Sequence, residues 1–169
     1  MAKRKFNKNK IIKLTAKQIE ISIADYFCPR RNLVVPNVYW GLNFVYELDI
    51  LVVTQSNYAY EIEIKTTISD IKADKKKRKE AHQDKRIKEL YFAIPYYLKE
   101  KAMGLIPERA GVLGVKSSNN KLSVIPIRVA KINTEARKID DKERMKLGKL
   151  SAMRIWNLKK KLLKIGGLK

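Results

Sequence analysis

Apolar and polar residues alternate within Tyr58–Thr66, with Glu61, Glu63 and Lys65 as the polar members. A period of two is typical of a strand, because successive side chains point to opposite faces of a sheet. The preceding segment, Phe44–Thr54, is also rich in β-forming residues. Its later part is continuously apolar, as in a central strand. We therefore predict two neighbouring strands in the middle of the chain.

Three segments carry helical patterns. Leu14–Phe27 has one apolar face, with Thr15 as its predicted N-cap. A basic helix capped by Ser69 or Asp70 is predicted to run to about Lys79. A long helix is predicted over about Asp141–Ile165, before two glycines that stop it. Its apolar side is supplied by Leu147, Leu150, Met153, Trp156 and Leu163.

The remaining elements complete a sheet. Leu33–Trp40 is strand-like, and Pro36 predicts that it is an edge or bulged strand. A strand over Glu89–Ile94 and a short helix over Tyr96–Met103 follow. A late hairpin is predicted from Ala110–Val115 and Leu122–Ile127. The order of elements predicts an α/β or α+β domain around a mixed sheet.

At 169 residues the chain has the length of one domain. Residues 1–13 carry six basic groups and no acid, and we predict a flexible basic arm there. Residues 14–130 form the predicted domain, and residues 131–169 form a basic helical extension that packs on it. Cys28 and His82 are single in the chain, which excludes an internal disulfide and a zinc site of the usual Cys/His type.

The net charge of +21 comes from 38 basic and 17 acidic residues. Such a charge predicts salt-dependent binding to polyanions, with nucleic acid as the expected partner. An anionic membrane surface is the alternative partner, and only the C-terminus pairs an apolar helix face with a basic one. No stretch approaches the eighteen apolar residues of a membrane span, and we expect nucleic acid rather than a membrane as the partner. The start lacks the apolar run of a secretory signal, so we expect a cytoplasmic protein.

Acidic residues gather where the basic surplus is lowest. Glu47, Asp49, Glu61 and Glu63 lie within nineteen residues that also contain Lys65. The short connection Gln55–Asn57 predicts that their strands are an antiparallel pair. If the like faces coincide, the carboxylates repel and raise one another's pKa unless a cation lies between them. Hard oxygen ligands of this kind suit Mg²⁺ or Mn²⁺. The alternative is a half-exposed strand whose Glu and Lys side chains face water.

The pattern Asp49, then Glu63-Ile64-Lys65 fourteen residues later, resembles the PD-(D/E)xK nuclease superfamily, which has the restriction-endonuclease-like fold. The family core is helix, three strands, helix and strand, which is also the order predicted above. Within the superfamily, residues 15–95 are similar to the branch of MmcB-like DNA-repair and phage nucleases. A Ser-Asp-x-x-x-Asp helix belongs to that branch, and Ser69, Asp70 and Asp74 fit it. The proline that often precedes the first acid is absent here.

The resemblance implies a Mg²⁺- or Mn²⁺-dependent deoxyribonuclease of phage or mobile-element origin in a bacterial host. Asp49 and Glu63 would be metal ligands, and the Ile64 carbonyl would be a third. Lys65 would position the attacking water and offset charge at the phosphate. Many members add a carboxylate from the first helix, and Glu20 is the candidate here. Glu47 and Glu61 are extra to this set.

Basic residues near the predicted site are candidates for binding phosphates. They comprise five residues of the second helix and one of the last helix: Lys72, Lys75, Lys76, Arg78, Lys79 and Arg154. Dimers are frequent in the superfamily, so the resemblance allows a homodimer. The alternative function is a non-catalytic nucleic-acid-binding protein that retains the nuclease fold. A basic scaffold or RNA-binding protein with structural acids is a third hypothesis.

Overall fold

A computed structural model describes residues 13–39, 42, 44, 46–77, 84–119 and 121–165, without the side chains of 75–77. Within these residues the chain forms six strands and four α-helices. The strands are β1 Leu33–Val38, β2 Leu48–Val53, β3 Ala59–Ile64, β4 Ile87–Pro95, β5 Gly111–Ser118 and β6 Lys121–Arg128. The helices are α1 Ala16–Tyr26, α2 Ile68–Lys77, α3 Lys99–Met103 and α4 Asp141–Ile165. A 3₁₀ turn, Tyr96–Leu98, precedes α3.

The six strands lie in one sheet in chain order. Strand β2 is antiparallel to both β1 and β3, and β5 is antiparallel to β6. Strand β4 is parallel to both β3 and β5, because α2 and α3 carry the chain back across the sheet before each strand begins. The predicted mixed sheet flanked by helices is therefore confirmed.

Helices cover both faces of this sheet. On one side, which we call the α1 face, Ile19 and Ile23 pack in a cluster with Ile50 and Ile62. The other side, the α2 face, is covered by α2, α3 and α4. Its two apolar clusters contain Leu51 with Leu147, and Phe92 with Ile71 and Ala102. Because side chains alternate along a strand, the odd-numbered residues of β2 and β3 point to the α2 face.

Helix starts follow the capping chemistry of the sequence. The Thr15 hydroxyl accepts the Gln18 N–H at 3.3 Å, and Gln18 Oε1 accepts the Thr15 N–H at 2.9 Å, which confirms Thr15 as the N-cap of α1. The predicted caps of α2 were wrong. Thr67 caps this helix, because its hydroxyl accepts the Asp70 N–H and Asp70 accepts the Thr67 N–H, each at 3.1 Å. Asp70 is thus the third residue of the helix.

The predicted bounds of α4 are confirmed, but its predicted apolar side was only partly right. Leu147 and Leu150 are buried, whereas Met153, Trp156 and Leu163 are 50%, 61% and 54% exposed. A helix of this length extends about 37 Å, and only its first turns pack against the core. Every side chain from residue 155 to 165 is exposed. No helix in the described part of the chain is long and apolar enough to cross a membrane.

Candidate active site

Asp49 and Glu63 meet across the antiparallel strands β2 and β3. The register pairs Ile50 with Ile62, so Asp49 and Glu63 are the next residues facing each other, on the α2 face. Asp49 Oδ2 also accepts the Ile64 N–H at 2.8 Å. The Asp49 carboxyl is therefore held at the edge of β3, beside the Glu63 carboxyl.

The acids of β3 do not face water. Glu61 and Glu63 are each 1% exposed, although charged side chains are almost never fully buried without a partner. This burial excludes a half-exposed strand with its polar residues in solvent. Each carboxylate must instead be stabilised by specific contacts within the protein or by a bound cation.

The environment of Asp49 disfavours its ionised form. Burial and the neighbouring Glu63 carboxylate raise the pKa of Asp49 from 3.8 to about 6. The Ile64 N–H and the Lys65 ammonium lower it, but by less. A hydrogen bond between the Asp49 and Glu63 carboxyls also contributes, and such a bond requires a proton on one of them. A cation between the two groups would replace that proton.

Lys65 lies at the end of β3 with its ammonium turned into the site. Its N–H donates to the Ala93 carbonyl at 3.0 Å, which fixes the backbone against β4. Nζ lies 3.0 Å from Glu63 Oε2 and 3.0 Å from Asp74 Oδ1, a buried acid on α2. Burial lowers the pKa of Lys65, but the two carboxylates outweigh burial and raise it above 10.5. Lys65 is therefore a cation at neutral pH.

The four acids that the sequence gathers do not form one cluster. Glu47 is exposed before β2 begins. Glu61 points to the α2 face, where both of its carboxylate oxygens accept the Tyr46 hydroxyl, at 2.9 and 3.0 Å. Glu61 is thus stabilised from the segment that precedes β2, and we assign it a structural role.

Glu20 lies on the wrong side of the sheet for the predicted set of ligands. It lines a surface groove of about 430 Å³ with Val34 and Ile50, residues of the α1 face. Asp49 and Glu63 point to the opposite face, so the fold does not bring Glu20 to them. The Ile64 side chain also belongs to the α1 face, while its backbone N–H holds Asp49.

The predicted phosphate-binding residues fall into three groups. Lys72 is exposed on α2, on the helix that also carries Asp74. Arg154 donates to the Asn37 carbonyl at the end of β1, and so helps to attach α4 to the sheet. The side chains of Lys75 and Lys76, and all of Arg78 and Lys79, lie outside the described residues.

Two carboxylates and a lysine fit one hard metal ion. In the described ranges no three side chains of His, Cys, Asp and Glu come together as a metal site. Mg²⁺ does not need three, because it is usually held by one or two carboxylates and completes its shell with water and phosphate. Burial and the Glu63 carboxylate raise the pKa of Asp49, as expected for two close carboxyl groups with no cation between them.

Asp74 and Tyr46 have no chemical role in the prediction from sequence. Asp74 lies three residues after the buried Ile71, and therefore on the same face of α2. An acid three residues from an apolar position on a lysine-rich helix is the signal that predicts an inward-facing side chain. For Tyr46 no comparable signal exists, because its contact with Glu61 spans fifteen residues of sequence across two elements.

Comparison with models of known protein families and with curated proteins gives no match for this chain. Among solved structures, the chain is similar to the SPO1766 protein of unknown function from Silicibacter pomeroyi. The TM-score is 0.59 at 15% sequence identity, over 94% of this chain and 98% of that one. At this identity the similarity shows a shared fold alone.

Proposed function

We propose that the protein is a metal-dependent nuclease that hydrolyses phosphodiester bonds of DNA. The observation that carries the proposal is the pair of carboxylates, half-buried Asp49 and buried Glu63, that face each other beside the Lys65 ammonium. Two like charges held close together and away from water are costly. Their presence in a basic chain therefore indicates a site that binds a cation. The resemblance to the PD-(D/E)xK superfamily assigns the same three residues.

Each residue then has a role that follows from its contacts. Asp49 and Glu63 would hold Mg²⁺ or Mn²⁺, which when bound polarises the scissile phosphate and lowers the pKa of a coordinated water. The Ile64 N–H orients Asp49. Lys65 acts as a cation, since its pKa lies above 10.5, and offsets negative charge that develops on the phosphate.

The surrounding charge supports a nucleic-acid substrate. A net charge of +21 attracts a polyanion and brings phosphates to a site that is itself acidic. Lys72 is an exposed cation on the helix next to Lys65, and is the described residue of the second helix best placed to contact flanking phosphates. We propose DNA rather than RNA on the resemblance alone.

The test is cleavage of plasmid, single-stranded and branched DNA with Mg²⁺ or Mn²⁺. Asp49→Asn and Lys65→Ala are each expected to reduce the rate by about 10²-fold or more. Asp25→Asn is the matched control, because it removes one carboxylate from an exposed position of α1. The nuclease hypothesis fails if the wild type cuts none of these substrates, or if the two site variants cut as well as the control.

A second candidate function is nucleic-acid binding without catalysis. The observation that favours it is the engagement of Lys65 with both Glu63 and Asp74, which is an internally compensated ion network. This hypothesis predicts DNA retardation in a gel that is unchanged by EDTA, together with no cleavage under any metal condition. Retardation and cleavage are measured on the same samples, so the two functions separate in one experiment.

A further inference from the structure

Lys65 has two carboxylate partners, and only one of them belongs to the facing pair. Nζ is 3.0 Å from Glu63 Oε2 and 3.0 Å from Asp74 Oδ1. The side chains of Lys65, Glu63 and Asp74 are 14%, 2% and 9% exposed, so this contact is made largely away from solvent. Asp74 comes from α2, whereas Lys65 and Glu63 come from the end of β3.

Two contacts place Asp74 at this position. Helix α2 begins at the Thr67 cap, two residues after Lys65. One turn before Asp74, Ile71 is 1% exposed in the cluster that includes Phe92. The short connection at one end and the buried contact beside Asp74 direct its carboxylate at the ammonium.

A metal ion held by Glu63 would share this carboxylate with the Lys65 ammonium, which contacts its Oε2 oxygen. The positive charge of the metal would repel the ammonium and weaken the contact of Lys65 with one of its two anionic partners. An ammonium with no second partner would either keep Glu63 from the metal or leave the site. Asp74 is that second partner, and it would retain Lys65 at the position where the phosphate charge develops.

We propose that Asp74 is a positioning residue that holds Lys65 in place while Glu63 binds the metal. The inference rests on the proposed function and adds to it a fourth residue, delivered by α2. Asp74 does not touch the metal or the phosphate in this assignment. Because Asp74 acts through Lys65, its effect can be distinguished by experiment from a general effect of negative charge.

The first measurement is Mn²⁺ binding by isothermal titration calorimetry, without DNA. Asp74→Asn is expected to weaken the affinity about tenfold, because Lys65 then depends on Glu63 alone. Asp25→Asn is the matched control, because it removes the same charge from an exposed position of α1, on the opposite face of the sheet. The control should stay within about twofold of wild type.

A double-mutant cycle distinguishes positioning from bulk charge. In a Lys65→Met background, Asp74→Asn should change the Mn²⁺ affinity by no more than about twofold, because the residue through which it acts is gone. An equal tenfold loss in both backgrounds would show that Asp74 acts by charge alone, and would overturn the proposal. So would an unchanged affinity of Asp74→Asn in the wild-type background.

A second readout needs no Asp74 variant, and applies even if Asp74→Asn does not fold. In wild type, the side-chain ammonium of Lys65 should give a slowly exchanging NMR signal that persists on saturation with Mg²⁺, assigned by its absence in Lys65→Arg. Loss of this signal with Mg²⁺ would show that Asp74 does not hold the lysine, and would overturn the inference.

Failure of the inference and failure of the proposed function give different results. If wild type binds Mn²⁺ but cuts no DNA, nuclease function is refuted and the calorimetry still decides the role of Asp74. If wild type cuts DNA and Asp74→Asn binds and cuts equally well, the inference alone is refuted. For an active enzyme we expect Asp74→Asn to lower kcat about tenfold and to leave KM for DNA within about twofold. The reason is that displacing Lys65 affects the chemical step rather than DNA binding. A wild type that binds no Mn²⁺ refutes both.

Discussion

Replacing Asp49 by asparagine should stabilise the protein at neutral pH in the absence of metal. The pKa of Asp49 is about 6 in the folded protein and 3.8 ordinarily, since burial and Glu63 disfavour its ionised form. Above pH 6 the folded protein must carry a carboxylate that the unfolded chain accommodates freely. The asparagine side chain would carry no charge, and its carbonyl oxygen can still accept the Ile64 N–H.

The size of the effect follows from the pKa difference. At about 1.36 kcal/mol per pH unit, a rise from 3.8 to about 6 corresponds to about 3 kcal/mol. Asp49 is only partly buried, and solvent screening reduces this to roughly 1–2 kcal/mol. For a chain of this size, that gain raises the melting temperature by roughly 3–6 °C.

The pH dependence has a definite sign. Between pH 3.8 and about 6 the folded state binds more protons at Asp49 than the unfolded state does, so the free energy of unfolding falls as the pH rises through this window. The advantage of Asp49→Asn is therefore absent below pH 3.8, grows through the window and is complete above pH 6. Thermal unfolding in EDTA at pH 3.5 and pH 7.5 measures it.

A helix-cap variant provides the control for this prediction. Burial raises the pKa of Asp70, but the hydrogen bonds from Thr67 and Thr66 together outweigh burial and lower it. Asp70→Asn should therefore lose stability at pH 7.5, the opposite sign from Asp49→Asn. If Asp49→Asn melts no higher than wild type at pH 7.5, or keeps its gain at pH 3.5, the electrostatic account of the site is wrong.

Three further predictions concern the core and the charge. Tyr46→Phe removes the donor to buried Glu61 and should lower the free energy of unfolding by about 1–2 kcal/mol in urea; an unchanged midpoint would contradict the structural role of Glu61. Gly111→Ala would place a Cβ against Tyr91 Cε1 and 2.9 Å from the Ala130 nitrogen. It should lower the free energy of unfolding in urea by about 1–3 kcal/mol. In contrast, Gly104→Ala, with no atom within 4 Å, should change stability by less than about 0.5 kcal/mol. Affinity for random duplex DNA should fall at least about tenfold between 50 and 200 mM salt, and a flat dependence would count against phosphate binding.

The sequence predicted the elements well where periodicity or capping is local. The bounds of α4 and the Thr15 cap were predicted correctly, because each depends on residues within a few positions of one another. Strand ends were less accurate: Phe44–Thr54 was predicted β-rich, and β2 is Leu48–Val53. The exposure of Trp156 was missed, because an amphipathic pattern does not say how far the sheet beneath a helix extends.

For the site, strand alternation predicted one face for Asp49 on its strand and one face for Glu63 on the next, and the register of the antiparallel pair brings these faces together. Strand alternation did not reveal that Glu61 and Glu63 are buried, because burial depends on the helices that cover the sheet. Glu20 was predicted as a ligand because the family resemblance implies a carboxylate from the first helix. The structure places α1 on the other face, and no local pattern encodes which face a helix covers.

The sequence by itself determined that Glu63 and Lys65 project to the same side of one strand, since a side-chain period of two is a property of the extended backbone. The register of the sheet then set Asp49 opposite Glu63. Tertiary structure decided what surrounds them. It buried Glu63, raised the pKa of Asp49 and brought Asp74 from α2 to within 3.0 Å of Lys65. These are consequences of packing helices on a sheet. Packing removes water from a charged group, and neighbouring charges and hydrogen bonds then determine its pKa.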